Sequence, residues 1–70
     1  MKLLIVVEQT GTGYSAYSPD VQGCIATGRS RAEVERTMQE AIELHLEGMH
    51  ADGLTLPEPQ TYAAVVEVAG

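Results

Sequence analysis

Residues 3–7, Leu-Leu-Ile-Val-Val, are apolar at five consecutive positions. Successive side chains of a strand point to opposite faces, so such a run needs cover on both sides. A second run, Thr-Tyr-Ala-Ala-Val-Val-Glu-Val-Ala at 61–69, has the same character, with Ala64, Val66 and Val68 opposite Ala63 and Val65. Between the two lies one amphipathic helix pattern, and one helix covers one face of a sheet. The other face needs a second chain, a copy or a partner. Each such side chain contributes on the order of 1.5–3 kcal/mol when fully buried.

Length points the same way. Seventy residues make a single domain, 1–70. A domain this small buries only about 60% of its unfolded surface, so its core alone is marginal. Small scaffolds add disulfides, a metal or a second subunit. The lone Cys24 cannot form an internal disulfide, which leaves association, and a homodimer or higher homo-oligomer is expected. A free thiol suits a reducing compartment. The longest apolar run is far short of the roughly 20 residues of a membrane helix, and Glu8 follows it too soon for a secretory signal. A cytoplasmic protein with no membrane partner is expected.

The remaining segments follow from local pattern. Gln9-Thr10-Gly11-Thr12-Gly13 reads as a hairpin turn in which the glycines supply positive φ. Tyr14–Ser18 is a second strand, broken by Pro19–Gly23, and Cys24–Thr27 a short third, closed by Gly28. Ser30-Arg31-Ala32-Glu33 is a capping-box sequence. The helix after it runs to about residue 50, with Val34, Met38, Ala41, Ile42, His45, Leu46 and Met49 on one stripe. Asp52-Gly53 is the stop, and Pro57 and Pro59 keep 54–60 irregular. The fold class is therefore α+β, in the order β-β-β-α-β. Three strands form an antiparallel meander, the fourth (61–69) lies beside the first, and one helix packs on one face.

Several chemistries fail on spacing or charge. Gly11-Thr12-Gly13-Tyr14-Ser15-Ala16 matches a dinucleotide pattern, but that mechanism needs a helix opening at this point, and a strand follows instead. Cys24, His45 and His50 are the only soft metal ligands, and the two histidines are five apart, off a common helix face. No metal, cofactor or catalytic residue is expected. Cys24 reads as a small buried hydrophobe. His45 reads as a half-buried imidazole against the sheet or as an interface contact. Four basic residues and a net charge of −6 exclude a general nucleic-acid binder. Glu33, Glu35, Glu40, Glu43, Glu47, Asp52 and Glu58 against Arg36 put the whole −6 into residues 33–58. That stretch is either a solvated helix face or a surface that meets a basic partner.

The ordered series Gly13-Tyr14, Pro19-Asp20-Val21, Gly23-Cys24, Gly28, Ser30, Glu40-Ala41-Ile42 and Leu44-His45-Leu46-Glu47-Gly48 resembles the N-terminal domain of HicB-like antitoxins, over roughly residues 3–68. The resemblance implies a truncated ribonuclease-H-like fold that is not a nuclease. It implies a small basic partner, a HicA-type mRNA interferase, whose catalytic histidine and RNA-binding face the antitoxin covers. Many members also carry a C-terminal DNA-binding domain. None is visible in this sequence, and direct DNA binding is not expected.

The residues themselves agree about catalysis. Ribonuclease-H chemistry needs carboxylates converging on two metals. Here the first strand is apolar, Glu8 and Glu67 stand apart, and the helix acids spread over about 30 Å of axis. The expected function is an antitoxin-like binding module that masks a toxin's active face. The alternative is a toxin-independent regulatory or structural homo-oligomer that binds another protein or a small ligand. Tyr14, Tyr17, Asp20 and His45, with Glu40, Glu43 and Glu47, are the candidate partner-binding residues. Tyrosine suits such positions because it joins apolar area to a hydroxyl.

Overall fold

The computed structural model describes residues 1–70. Strands β1 (Val6–Gln9), β2 (Tyr14–Ser18) and β3 (Val21–Gly28) precede one helix, α1 (Arg31–Ala51). The strands form an antiparallel meander in the order β1-β2-β3. The third strand is longer than expected. Only Pro19 and Asp20 form the turn, and Val21–Gly23 join β3 through a bulge opposite Ser18. The shift leaves Gln22, Gly23 and Cys24 of β3 without partners in β2, and such irregularities bend a strand and increase its local twist.

The β1–β2 turn works differently from its sequence reading. Neither Gly11 nor Gly13 has positive φ. The turn is closed by the Thr10 N–H donating to the Gly13 carbonyl at 2.8 Å. Gly13 matters for space instead, because a Cβ there would lie 2.3 Å from the Gly28 carbonyl oxygen.

The helix boundaries follow the capping signals. The Ser30 hydroxyl accepts from the Glu33 N–H at 3.1 Å. At the other end Gly53 takes φ +70°. Its N–H donates to the His50 carbonyl at 3.1 Å and the Leu54 N–H to the Met49 carbonyl at 2.9 Å, the two bonds of a Schellman stop.

The core is small: Ala16, Val21, Cys24, Ala26, Val34, Met38 and Ile42, between α1 and the inner sheet face. The helix lies mainly over β3 and β2 and barely reaches β1. Cys24 is buried as expected, its Sγ 3.9 Å from the Ala41 carbonyl oxygen. Along the helix stripe Val34, Met38 and Ile42 are buried, whereas Ala41, Leu46 and Met49 are half-buried and His45 is exposed. The half-buried setting against the sheet expected of His45 is therefore not found. Cys24 already lies at the level of Ala41, so only the first residues of β3 remain to cover the rest of the helix.

The fourth strand is the main departure from expectation. Residues 61–69 form no strand and lie outside the sheet, and all are exposed. Two features direct them away from β1. Residues 54–60 carry Pro57 and Pro59, and proline-rich segments are stiff and extended. Asp20, in the β2–β3 turn, then holds the root of the segment. Its carboxylate accepts from the Gln60 N–H (3.2 Å), the Thr61 N–H (3.1 Å) and the Thr61 hydroxyl (3.0 Å). The resulting arm stretches the molecule to 49 × 27 × 16 Å.

Candidate partner-binding surfaces

The strand register divides the sheet into two faces. Val7, Ala16 and Ala26 are paired across the three strands, and the adjacent row is Val6, Tyr17 and Ile25. Ala16 and Ala26 are buried under the helix. In the adjacent row Tyr17 is 43% and Ile25 76% exposed. Period-two alternation places a bulky apolar row on the face the helix does not cover.

The candidate residues fall on separate surfaces. Tyr17 belongs to the outer row. Tyr14, three residues earlier, points to the opposite face and packs half-buried against the core. Glu40, Glu43 and Glu47 are exposed at i, i+3 and i+7 on the solvent side of α1, which makes them neighbours on the helix surface. The Gln39 amide donates to the Glu43 carboxylate at 3.0 Å. His45 is exposed on the same helix. The helix lies between the acidic stripe and the sheet, and the sheet lies between the helix and Tyr17, so no one flat partner covers both.

Asp20 has a structural task in this chain. The Thr61 backbone N–H holds its carboxyl below the ordinary carboxylate range. Desolvation partly opposes this, and the Thr61 hydroxyl and the Gln60 N–H add to it. Nothing in the sequence joined position 20 to position 61.

Sequence reasoning passed over Ile25. The signal was present in Cys24-Ile25-Ala26-Thr27. With the small Cys24 and Ala26 facing inward, the largest side chain of the strand must face out.

Beside β1 runs an open groove of about 550 Å³ between the N-terminal residues and the helix, lined by Leu3, Ile5, Ile42 and Leu46 with Lys2, Glu35, Gln39 and the candidate residue Glu43. No three His, Cys, Asp or Glu side chains converge as a metal ion would require. No helix is long and apolar enough to cross a membrane.

A three-stranded meander under one capped helix, with its distinctive chemistry spread over its surfaces, defines a small α+β module. The chain belongs to the HicB-like antitoxins of bacterial toxin–antitoxin systems, whose family it matches over residues 3–69. It is 37% identical over 70 residues to a UPF0150 protein of Helicobacter pylori (strain J99), covering 99% of this chain and 97% of that one. It is 39% identical over 54 residues to an uncharacterised 14.9 kDa protein of Haemophilus phage HP1, covering 77% of this chain and 41% of the phage protein.

Among solved structures it is similar to a chain of the HicA3–HicB3 toxin–antitoxin complex. The TM-score is 0.65 at 29% identity, covering 83% of this chain and 72% of that chain. It is also similar to the HicB3 antitoxin, with a TM-score of 0.67 at 33% identity, covering 79% of this chain and 40% of the antitoxin.

Proposed function

We propose that this chain neutralises a small basic HicA-type mRNA interferase by covering its active face. It acts by binding, without catalysis of its own, and it acts in the cytoplasm as a homodimer. Membership of the antitoxin family, with a structural relative in a HicA3–HicB3 complex, is the observation that carries this reading. A truncated ribonuclease-H-like frame is the architecture it implies.

The surface chemistry supports a basic partner. Glu40, Glu43 and Glu47 lie in one exposed stripe on a chain whose net charge is −6. An RNA-cleaving enzyme needs positive charge where the RNA backbone lies, and a row of carboxylates can take the place of phosphates there. Such complementarity speeds encounter and rejects wrong partners more than it adds affinity. His45 and Tyr17 are further contact candidates. Asp20 is already engaged with Thr61, and Tyr14 is half-buried, so their contributions to a partner are through shape.

The test is recovery of a tagged chain from its native host, followed by expression of any small basic protein that co-elutes. Growth arrest by that protein, relieved by this chain, is the expected outcome. The triple change Glu40→Lys, Glu43→Lys, Glu47→Lys is expected to slow association on the order of tenfold or more at low salt. The wild-type rate falls with added salt, because charges are screened over about 8 Å at physiological ionic strength. A toxin neutralised equally well by the triple variant would remove the acidic stripe from the mechanism.

A further inference from the structure

We infer that Leu44 anchors the partner interface: an exposed apolar side chain ringed by carboxylates, beside a notch at Gly48, that seats in an apolar socket edged by lysine or arginine on a small basic protein. The inference rests on the reading of a basic partner given above. It adds the side chain that holds the partner and the shape the partner must have.

Leu44 is 71% exposed, in the C-terminal half of α1. A single exposed leucine is ordinary, and its neighbours set this one apart. With about 3.6 residues per turn, Glu40, Leu44, Glu47 and Gly48 share one face over adjoining turns, and all are exposed. Glu43 lies at the margin of that face, toward the groove beside β1. The face is turned away from Val34, Met38 and Ile42, which carry the helix onto the sheet.

Gly48 is a second observation, independent of charge. Glycine inside a helix weakens it relative to alanine, and such a glycine marks a packing or functional demand. This chain makes no such demand at position 48. Gly48 is not among the glycines with positive φ, and a Cβ built on it meets nothing within 4 Å. Gly13 and Gly28 are the contrast, since a Cβ on either would strike a neighbouring segment. The open space over Gly48 lies one turn from Leu44, where another molecule can bring its own surface close to the helix backbone.

Charge selects the occupant. A second copy seated here would set its own Glu40, Glu43 and Glu47 against these, like charge on like. A nucleic acid would do the same with its phosphates. A basic protein meets the carboxylates with its lysines and arginines and closes water out around the leucine. An apolar centre inside a rim of weaker contacts is the arrangement of a binding hot spot. The rim governs how fast the partner arrives, and the desolvated centre how long it stays.

The probe is the small basic protein that co-elutes with the tagged chain from its native host, purified and bound to the whole purified chain in a rate-resolved assay. Leu44→Ala is expected to speed dissociation on the order of 30-fold or more. Its association rate should stay unchanged, and the loss should persist in high salt. Leu54→Ala, which alters an exposed leucine outside this face, is expected to leave both rates as they are. Gly48→Gln puts a helix-forming residue over the notch. It is expected to raise the melting temperature while weakening binding on the order of tenfold, an opposition that a glycine needed only by the fold would not give. A Leu44→Ala chain that holds the partner as long as the Leu54→Ala chain does overturns the inference and leaves the toxin reading standing. Undiminished affinity in Gly48→Gln overturns the notch, and should one variant lose its helical circular dichroism, the other decides. If no basic protein is recovered, the toxin reading fails and this inference fails with it.

Discussion

Val34 and Val66 are the same side chain in opposite circumstances. Val34 is fully buried between α1 and the sheet, and Val66 is 76% exposed on the arm. Val34 is flanked by Glu33, Glu35 and Arg36 and Val66 by Ala64, Val65 and Val68, yet it is the valine of the charged stretch that finds cover within the chain and the one of the apolar stretch that does not. Hydrophobicity states that a side chain gains by leaving water. It does not state which molecule supplies the cover. Val34 sits one turn past a cap that fixes where its helix begins, over a strand only a short loop away. Val66 follows a proline-bearing segment and a tether that lead it off the sheet.

The largest test of this contrast removes a core side chain and an arm side chain in parallel. Met38→Ala empties a fully buried site and is expected to cost about 2–5 kcal/mol, a large share of the stability of a domain this small. Val66→Ala, measured by urea unfolding in dilute solution, is expected to stay within about 0.5 kcal/mol. The sharper outcome is its concentration dependence. Cover supplied by a second copy makes the cost of Val66→Ala grow as protein concentration rises, while that of Met38→Ala does not depend on it in the same way. A Val66→Ala cost that is already large in dilute solution would mean that the arm is buried within one chain, and the contrast would be void.

The junction between the two regions gives a smaller effect. Gly53 ends the helix at φ +70°, a conformation that costs a residue with a Cβ roughly 1–2 kcal/mol. Gly53→Ala is expected to destabilise by about that amount in thermal unfolding. The Cβ itself would meet nothing within 4 Å, so backbone strain is the whole cause. Gly53→Asn, which tolerates left-handed backbone better, should recover part of the loss. A Gly53→Ala variant as stable as the parent would show that the end of the helix is free to rearrange.

These two regions also mark what sequence alone could tell. The helix was legible because its signals are local: Ser30 and Glu33 three residues apart, the Val34–Met38–Ile42 spacing, and the Asp52-Gly53 stop. The hairpins were legible for the same reason, although the need for Gly13 came from a neighbouring strand and not from its own φ. The arm was legible as apolar, but not as unpaired. Its direction depends on a carboxylate forty-one positions away, and no local pattern records such a contact. The candidate contact residues were scattered for a related reason. Tyr14 and Tyr17 look alike in sequence, yet a separation of three in a strand sends them to opposite faces. His45 has the spacing of the apolar stripe but is exposed, beyond the point where the strand beneath can cover it. The acidic stripe was the legible part of the surface, because charge and helical spacing are both local.

The smallest effect expected is confined to the root of the arm. Asp20 accepts three hydrogen bonds from Gln60 and Thr61, and these hold its carboxyl below the ordinary value of 3.8. A group whose folded value is lowered contributes fully above its unfolded value and loses that contribution as pH falls through the folded one. The tether is therefore intact at neutral pH and releases only in acid. The Thr61 amide resonance is expected to titrate with a midpoint below 3.8, and in Asp20→Asn it is expected to be flat through that range. Asp20→Ala should speed hydrogen exchange at Thr61 without moving the melting of α1, because the helix makes none of these bonds. A Thr61 midpoint at or above the ordinary aspartate value would mean that the carboxylate is not held by these donors. The outward course of the arm would then have to come from Pro57 and Pro59 alone.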